Sequence, residues 1–407
     1  MRAWEKVTVP SLERFGRAPA VRIHDTATGR LRTSDGRGPA GLYVCGITPY
    51  DATHIGHAAT YIAFDLLIRS WRDAGREVRY VQNVTDIDDP LLERAQRDSE
   101  DWRDIAERET ERFRSDMEAL RVIPPDDYVG AVESIPVIVE LVQELSHLGH
   151  AYDVDGDVYF AVHSDPAFGT VSNLTEPEMI ELFAARGGDP ERPGKKHPLD
   201  CLLWRAERPG EPAWDSALGR GRPGWHVECS AIALGHLGEG FDVQGGGSDL
   251  VFPHHEMSAS ESQAAFPGIT FAKVYMHAGM VAYEGEKMSK SLGNLVFVSK
   301  LREEDVDVDA LRLALITHHY RSNWEWTSAD LERARQRLTA WRTGLAITNV
   351  QQAEQLVATV RAALAQDLDT PRVVKILDDW AEGWHRGDGS GADIVRELLD
   401  ARLGIRL

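Results

Sequence analysis

The amino-acid sequence predicts an α/β protein built on a parallel sheet, with an insertion in the sheet and a helical bundle after it. Three observations lead to this fold class. A short apolar strand, a helical segment and a second strand follow one another within residues 41–90, which is the pattern of a βαβ unit. Strand patterns return between about 201 and 300. From Asp309 onward the pattern is helical.

Length and composition set broad limits on the function. The 407 residues are enough for two or three domains. The net charge of −20 gives no sign of a surface for nucleic acid or for an anionic membrane. We expect neither a secretory signal nor a transmembrane helix, because no long apolar run is present. Cys45, Cys201 and Cys229 are odd in number and far apart, which favours the reducing cytoplasm over a disulfide framework.

The first half of the sheet is expected within residues 1–115. GLYVCG is predicted to be its first strand and EVRYVQNVTD its second. Between them, Ile62, Leu66 and Trp71 recur at nearly helical spacing, and the helix is predicted to end at Gly75.

Three further segments complete the predicted organisation. Residues 116–200 are predicted to be a connective insertion, with a hairpin at AYDVDGDVYFAV and the loop RGGDPERPGKKHP. Residues 201–305 would form the second half of the sheet, with strands at FDVQ and KVYMHAGMVAY. Residues 306–407 are predicted to be helical, and Thr327–Asp330 is a plausible capping box at the start of an amphipathic helix.

Two short motifs indicate a nucleotide site when they are taken together. TPYDATHIGHA leads into the first helix, and EKMSKSLGN follows the second half of the sheet. A helix start offers N–H groups and a positive dipole end to phosphates, and Gly56 would let a nucleotide approach the backbone. His54 and His57 can hydrogen-bond a polyphosphate, and Lys287 and Lys290 supply cations for a leaving pyrophosphate. Either motif alone is weak.

This pair of motifs on a split sheet resembles the Rossmann-like catalytic core of class I aminoacyl-tRNA synthetases, with their HIGH and KMSKS motifs. The resemblance implies that a carboxylate attacks the α-phosphate of ATP, giving an acyl adenylate and pyrophosphate. ATP would be a substrate, accompanied by Mg²⁺. The motif residues His54, His57, Lys287 and Lys290 would be catalytic, and Gly247, Ser248 and Asp249 would hold the adenosine.

Two of the three cysteines fall in segments that flank this site, and two thiolates with one imidazole suit Zn²⁺. The segments that contain YVCGIT and GWHVEC…GGGSDLVFPHHE resemble cysteinyl-tRNA synthetase, along roughly residues 41–90 and 200–300. The resemblance marks Cys45, Cys229 and His254 as the protein ligands of one zinc ion per chain.

The sequence departs from that family at a ligand. A glutamate four residues after His254 completes the zinc ligands in cysteinyl-tRNA synthetases, and here that position is Ser258. Three protein ligands and an open position are the pattern of a catalytic zinc site. The open position suits the thiol of a substrate cysteine and would reject serine. Cys201 matches no ligand position and is interpreted as structural.

Ser258, the end of the chain at Leu407 and the loop Arg186–Pro190 together resemble the mycothiol-pathway paralogues of cysteinyl-tRNA synthetase. That family implies two steps: cysteine and ATP form cysteinyl-AMP, and the amine of glucosaminyl-inositol then attacks it to give an amide and AMP. The expected partners are L-cysteine, ATP and glucosaminyl-inositol, without tRNA or membrane. A cytoplasmic monomer is expected.

The same resemblance gives the pocket for cysteinyl adenylate. Its positions in this sequence are Cys45, Gly46, Ile47, Thr48, Thr60, Asn83, Val84, Thr85, Trp225, Gly247, Ser248, Asp249 and Val281. Thr85 could instead cap a turn, and Trp225 could be a core residue. The acidic run Asp86, Asp88 and Asp89 is interpreted as a capped, solvated helix start rather than a metal site.

Two other functions stay open. One is a truncated cysteinyl-tRNA synthetase, although the C-terminal residues 371–407 have six basic against seven acidic side chains and thus no basic patch for RNA. The other is a non-catalytic protein of this fold that binds zinc or a nucleotide. The intact HIGH and KMSKS motifs disfavour it, because a protein that only binds has no use for both.

Overall fold

A computed structural model describes residues 1–34, 36, 38–51, 53–283, 285–287, 295–383 and 387–407, with the backbone alone for 286 and 287. The strands, numbered along the chain, are β1 (Val21–Asp25), β2 (Arg30–Ser34), β3 (Ala40–Ile47), β4 (Val78–Val84), β5 (Asp127–Gly130), β6 (Ala151–Val154), β7 (Asp157–Phe160), β8 (Cys201–Ala206), β9 (Gly221–Pro223), β10 (Phe241–Gly247), β11 (Ala272–Ala278), β12 (Val281–Tyr283), β13 (Glu286–Lys287) and β14 (Trp324–Trp326).

The helices are α1 (Ile55–Asp73), α2 (Asp89–Asp98), α3 (Trp102–Ala119), α4 (Ile135–His147), α5 (Glu176–Ala185), α6 (Trp225–Leu237), α7 (Glu256–Ala265), α8 (Val298–Glu303), α9 (Val308–Ile316), α10 (Ser328–Leu345), α11 (Val350–Leu364), α12 (Thr370–Glu382) and α13 (Ala392–Leu403). No helix in the described part of the chain combines the length and apolar character that crossing a bilayer requires.

The central sheet confirms the predicted α/β fold. Its strand order is β11-β10-β3-β4-β5, and every pair is parallel. Nearly every residue of β3 is buried, as expected for a parallel strand that helices cover on both faces. The two predicted halves of the sheet therefore meet where β3 pairs with β10.

A separate antiparallel sheet has the order β6-β7-β8-β9. Its strands β6 and β7 come from the predicted insertion, whereas β8 and β9 lie in the range that was predicted to form the second half of the central sheet. The expected hairpin at residues 151–160 is present as β6 and β7. β5 lies within the range predicted as insertion, yet it pairs with β4 in the central sheet. Its four residues are too few to give a strand pattern in the sequence, and only the pairing reveals it.

The C-terminal helices α9 to α13 pack on the central core, and α1 contacts both α9 and α13. The capping box of Thr327 and Asp330 is present at the start of α10. A fully buried ion pair joins α9 to α1, with Arg312 and Arg69 both donating to Asp65. Burial raises the pKa of Asp65, but the two guanidinium charges outweigh it and the pKa is lowered.

Candidate active site

A cleft of about 390 Å³ opens at the carboxyl ends of β3 and β10, where open α/β sheets bind their ligands. Most of the predicted site residues line it together. They are Cys45, Gly46, Ile47, Thr48, His54, His57, Thr60, Trp225, Gly247, Asp249 and Val281. The structure therefore brings the first motif, one cysteine and the glycine turn after β10 to one place.

Four predicted pocket residues lie behind the lining of the cleft. Asn83 accepts the Gly46 N–H at 2.8 Å through Oδ1 and donates to Thr85 Oγ1 at 3.2 Å. Val84 is fully buried in the main core, and Ser248 begins a turn of 3₁₀ helix after β10. Asn83 and Thr85 thus support the floor of the cleft from the neighbouring strand, because β3 and β4 are adjacent.

The start of α1 differs from the expectation in one respect. His54 is its N-cap, and its Nδ1 accepts the backbone N–H groups of Gly56 at 3.1 Å and His57 at 3.4 Å. These N–H groups were expected to face phosphate, but they are already bonded to His54. Because Nδ1 accepts these bonds, the proton of a neutral His54 lies on Nε2. A Cβ on Gly56 would lie 2.9 Å from the His54 ring. A side chain at position 56 would therefore collide with the His54 ring, and this is the first reason why the position needs a glycine.

His57 stacks on His54, with ring centroids 3.8 Å apart. Burial lowers the pKa of His57 to about 4, although the nearby Asp249 and Asp51 carboxylates raise it. At neutral pH His57 is therefore an uncharged imidazole, which can donate a hydrogen bond but cannot compensate phosphate charge. That compensation has to come from other cations.

Little of the second motif lies within the described residues. The backbone of Lys287 lies in β13 and pairs with Ala282 of β12. The Lys287 side chain and all of Lys290 lie outside the described residues. Their role beside the leaving pyrophosphate therefore stays a prediction.

The predicted metal ligands form a compact cluster. The ligand atoms of Cys45, Cys229 and His254 all lie within 4.8 Å of one another. The two Sγ atoms are 3.9 Å apart, and His254 Nε2 is 3.1 Å from Cys229 Sγ. Tetrahedral zinc with Zn–S bonds of about 2.3 Å separates two sulfurs by roughly 3.8 Å, so the donor set fits zinc. No fourth His, Cys, Asp or Glu among the described residues joins this group.

Burial keeps Cys229 and His254 in their neutral forms. It raises the pKa of the Cys229 thiol well above its usual value, with a further contribution from Cys45, and it lowers the pKa of His254 well below its usual value. A neutral imidazole is ready to bind a metal. The thiol needs a nearby cation to become a thiolate, because the buried charge is otherwise uncompensated.

Three further histidines surround the cluster, and the sequence analysis assigned a role to none of them. His226 Nδ1 lies 3.0 Å from His254 Nδ1, so it contacts the ring nitrogen of His254 that does not face Cys229. His255 Nε2 is 3.2 Å from Cys45 Sγ, and its Nδ1 is 2.7 Å from His277 Nε2. His277 pairs with Gly246 in the strand register. Its position near the carboxyl end of β11, in a segment that was predicted to be a strand, was the feature that could have placed it near the site.

Ser258 does not point its hydroxyl at the cluster. Its Oγ donates to the carbonyls of His254 at 2.9 Å and His226 at 3.2 Å, which are backbone contacts. Cys201 is buried beyond the cluster and donates to Glu261 at 3.3 Å, in agreement with its structural interpretation. Burial raises the pKa of Glu261 to about 8.

The acidic run before α2 is partly as expected. Asp88 caps α2 by accepting the Asp89 N–H at 2.8 Å. It is half-buried, as is Asp86, and burial raises the pKa of Asp88 to about 6 and also raises that of Asp86. The prediction of a capped helix start is confirmed. The run is only partly solvated, because Asp86 and Asp88 are half-buried, while the Asp89 side chain is 46% exposed and pairs with Arg205 and Arg222.

Trp225 lies in the wall of the cleft rather than in the core. It is half-buried, lines the cleft and stacks on His254 with ring centroids 4.4 Å apart. Tyr50, Asp51, Tyr61, Gly279 and Met280 also line the cleft. They carry no motif that sequence reasoning could have used, apart from Tyr50 and Asp51 in TPYDATHIGHA.

The loop Arg186–Pro190 is connected to the nucleotide side of the cleft. Arg186 Nη1 donates to the carbonyl oxygen of Asp249 at 2.5 Å and also to that of Phe252. Arg186 therefore holds the turn that runs from the end of β10 to His254. This turn supplies both a cleft residue and a predicted metal ligand.

Comparisons with known proteins agree with this geometry. Residues 34–336 match the family described as tRNA synthetases class I (C) catalytic domain. The L-cysteine:1D-myo-inositol 2-amino-2-deoxy-alpha-D-glucopyranoside ligase of Streptomyces griseus subsp. griseus is 60% identical over 411 residues, and that of Thermomonospora curvata is 57% identical over 414 residues. Both alignments cover 100% of each chain.

Solved structures agree on the fold. Methionyl-tRNA synthetase of Mycobacterium tuberculosis, in complex with methionyl-adenylate, gives a TM-score of 0.65 at 17% identity, covering 90% of this chain and 92% of that one. The LeuRS of Agrobacterium radiobacter K84, in a ternary complex, gives a TM-score of 0.65 at 10% identity, covering 96% and 85%.

Proposed function

The chain belongs to the class I tRNA synthetase (C) catalytic-domain family and, within it, to the L-cysteine:1D-myo-inositol 2-amino-2-deoxy-alpha-D-glucopyranoside ligases, and from this membership we propose its reaction. The carboxylate of L-cysteine attacks the α-phosphate of ATP and releases pyrophosphate. The amine of glucosaminyl-inositol then attacks the carbonyl carbon of cysteinyl-AMP, and AMP leaves as the amide forms. The product enters mycothiol biosynthesis.

One observation carries the proposal for the site. Cys45 belongs both to the three-ligand cluster and to the lining of the cleft, so a metal held by the cluster would adjoin the bound substrate. Cys45, Cys229 and His254 would hold one Zn²⁺. When bound there, zinc would offer an open position that takes the cysteine side chain as a thiolate and discriminates against serine.

The other side chains would position cysteine and ATP. Trp225, stacked on His254, would form the wall beside the cysteine side chain. His54 and His57 would donate hydrogen bonds to the α-phosphate, and the turn at Gly247 and Asp249 would hold the adenosine. Since His57 is uncharged at neutral pH, we expect Mg²⁺ and the lysines of the second motif to compensate the phosphate charge.

We further propose a cytoplasmic monomer. The three cysteines are free and buried, and a site built on thiols needs a reducing compartment. The large apolar side chains that are exposed among the described residues are few, and only Val137 and Leu148 belong to the same helix and its C-cap. They are Met1, Leu31, Val137, Leu148, Phe266 and Val350. Sedimentation of the purified protein would test the monomer.

An AMP-release assay tests the reaction itself. We expect pyrophosphate exchange with cysteine and ATP alone, and stoichiometric AMP only when glucosaminyl-inositol is added. Serine should replace cysteine poorly, and tRNA should not accept cysteine. Charging of tRNA at the rate of the sugar reaction would instead restore a synthetase function.

X-ray absorption would test the metal: we expect one zinc with two sulfur ligands, and three sulfur ligands after cysteine is added.

A further inference from the structure

A groove of about 800 Å³ adjoins the catalytic cleft. It lies between α3 and α8, and Asp51 lines both the groove and the cleft. It contains none of the metal ligands and none of the residues predicted to bind cysteinyl adenylate. A molecule in the groove could therefore reach the cleft at Asp51 without displacing the first substrates.

Among the described residues that line the groove, positive and negative charges are equal in number. Its cations are Arg108, Arg112, Lys300 and Arg302, and its carboxylates are Asp51, Glu111, Asp116 and Glu303. Equal numbers of both signs do not suit a polyanion such as pyrophosphate or RNA, which calls for an excess of cations. They suit a neutral molecule with many hydroxyl groups, because each hydroxyl both donates and accepts hydrogen bonds.

The groove also has a wall and an unused acceptor. Phe297 lines it, with Lys300 Nζ 5.3 Å from the ring centroid. Asp116 is fully buried at its base, and one carboxylate oxygen accepts from Arg302 at 2.8 Å. The other oxygen has no hydrogen-bond partner among the described residues. Buried carboxylate oxygens are normally hydrogen-bonded, but this oxygen is closed to solvent, so a hydroxyl group would reach it only after the side chains around it shift.

We propose that this groove binds the acceptor, an aminosugar joined to a cyclic polyol, with its amine directed toward Asp51. This inference rests on the proposed function. The hydroxyl groups bond to the mixed charges along α3 and α8. The Asp51 carboxylate receives the protonated amine where the groove meets the cleft. The volume exceeds what one pseudo-disaccharide needs and lies within the usual range for small-molecule sites, about 300–1,000 Å³.

The test separates the two half-reactions. Cysteine-dependent ATP–pyrophosphate exchange reports the adenylate step, and single-turnover transfer from preformed cysteinyl-AMP to glucosaminyl-inositol reports the acceptor. Arg112→Ala and Lys300→Met each remove one cation from the groove, and Arg103→Ala is the control, because Arg103 lies on α3 but pairs with Asp101 outside the groove. We expect transfer at low acceptor concentration to fall at least tenfold in Arg112→Ala and Lys300→Met and to stay unchanged in Arg103→Ala. Exchange should change less than twofold in all three.

Each other outcome has a distinct meaning. Unchanged transfer in both groove variants would overturn the inference and leave the proposed function intact. A parallel fall in exchange would assign the groove to ATP or pyrophosphate and also overturn it. A wild-type enzyme that exchanges pyrophosphate but transfers nothing to glucosaminyl-inositol would remove the proposed function, and the acceptor groove with it.

Discussion

Arg186 offers a sharp test of how the inserted segment supports catalysis. Its guanidinium group donates to the carbonyl oxygens of Asp249 and Phe252, at either end of a turn that leads from the cleft to the predicted metal ligand His254. Arg186→Ala removes both bonds and leaves two carbonyls to water. The turn should then sample other conformations, so that adenosine binding has to restore the native one.

The expected magnitude follows from these two bonds. A hydrogen bond with a charged donor contributes about 1.5–3 kcal/mol, and we take about 2–3 kcal/mol for the pair because Arg186 is partly exposed. At about 1.4 kcal/mol for each factor of ten, kcat/KM for ATP should fall roughly 30- to 150-fold. Arg186→Lys can keep one bond, so its loss should be intermediate.

The assay is cysteine-dependent pyrophosphate exchange with ATP varied, together with the zinc content of each variant. Arg192→Ala is the matched control, since Arg192 lies on the same loop but binds Asp157 and the carbonyl of Val154. We expect that control to exchange at the wild-type rate. Equal kcat/KM for ATP in Arg186→Ala and Arg192→Ala would refute the idea that Arg186 orders the turn.

Four other predictions concern the metal, the first motif and the core. Cys229→Ala should lose zinc and lower cysteine-dependent exchange more than a hundredfold, because one thiolate and one imidazole hold the metal poorly; full zinc content by elemental analysis would contradict this. Ser258→Glu should place a carboxylate near the metal and raise the KM for cysteine, while X-ray absorption that still shows no added oxygen ligand would argue against it. His57 should titrate near pH 4 by NMR in the ATP-free protein; because its pKa is about 6.5 when unfolded, its contribution to stability is complete above pH 6.5 and declines as the pH falls toward 4. Arg312→Met should lower the free energy of unfolding by about 3–5 kcal/mol in urea titrations, since Asp65 loses one of its two buried cations, and a loss below about 1 kcal/mol would mean that Arg69 alone suffices.

The sequence alone was sufficient wherever a local pattern has one structural meaning. The strand–helix–strand pattern of residues 41–90 predicted parallel strands, and the hairpin at 151–160 and the capping box at Thr327 also appear as expected. Cys45, Cys229 and His254 were grouped from a resemblance, and they do converge. These successes share a cause: periodicity, caps and motif spacing act over a few residues, so the chain records them directly.

The tertiary structure decided everything that depends on which distant segments meet. β5 joined the central sheet although its four residues give no pattern. His226, His255 and His277 surround the predicted metal ligands because three segments converge at one edge of the sheet, namely α6, the turn that follows β10, and the end of β11. Arg186 reaches the turn at Asp249 from the inserted segment. Burial raises the pKa of Asp88 and lowers the pKa of His57. Burial and long-range contact depend on the packing of the whole chain, and no single stretch of sequence determines them.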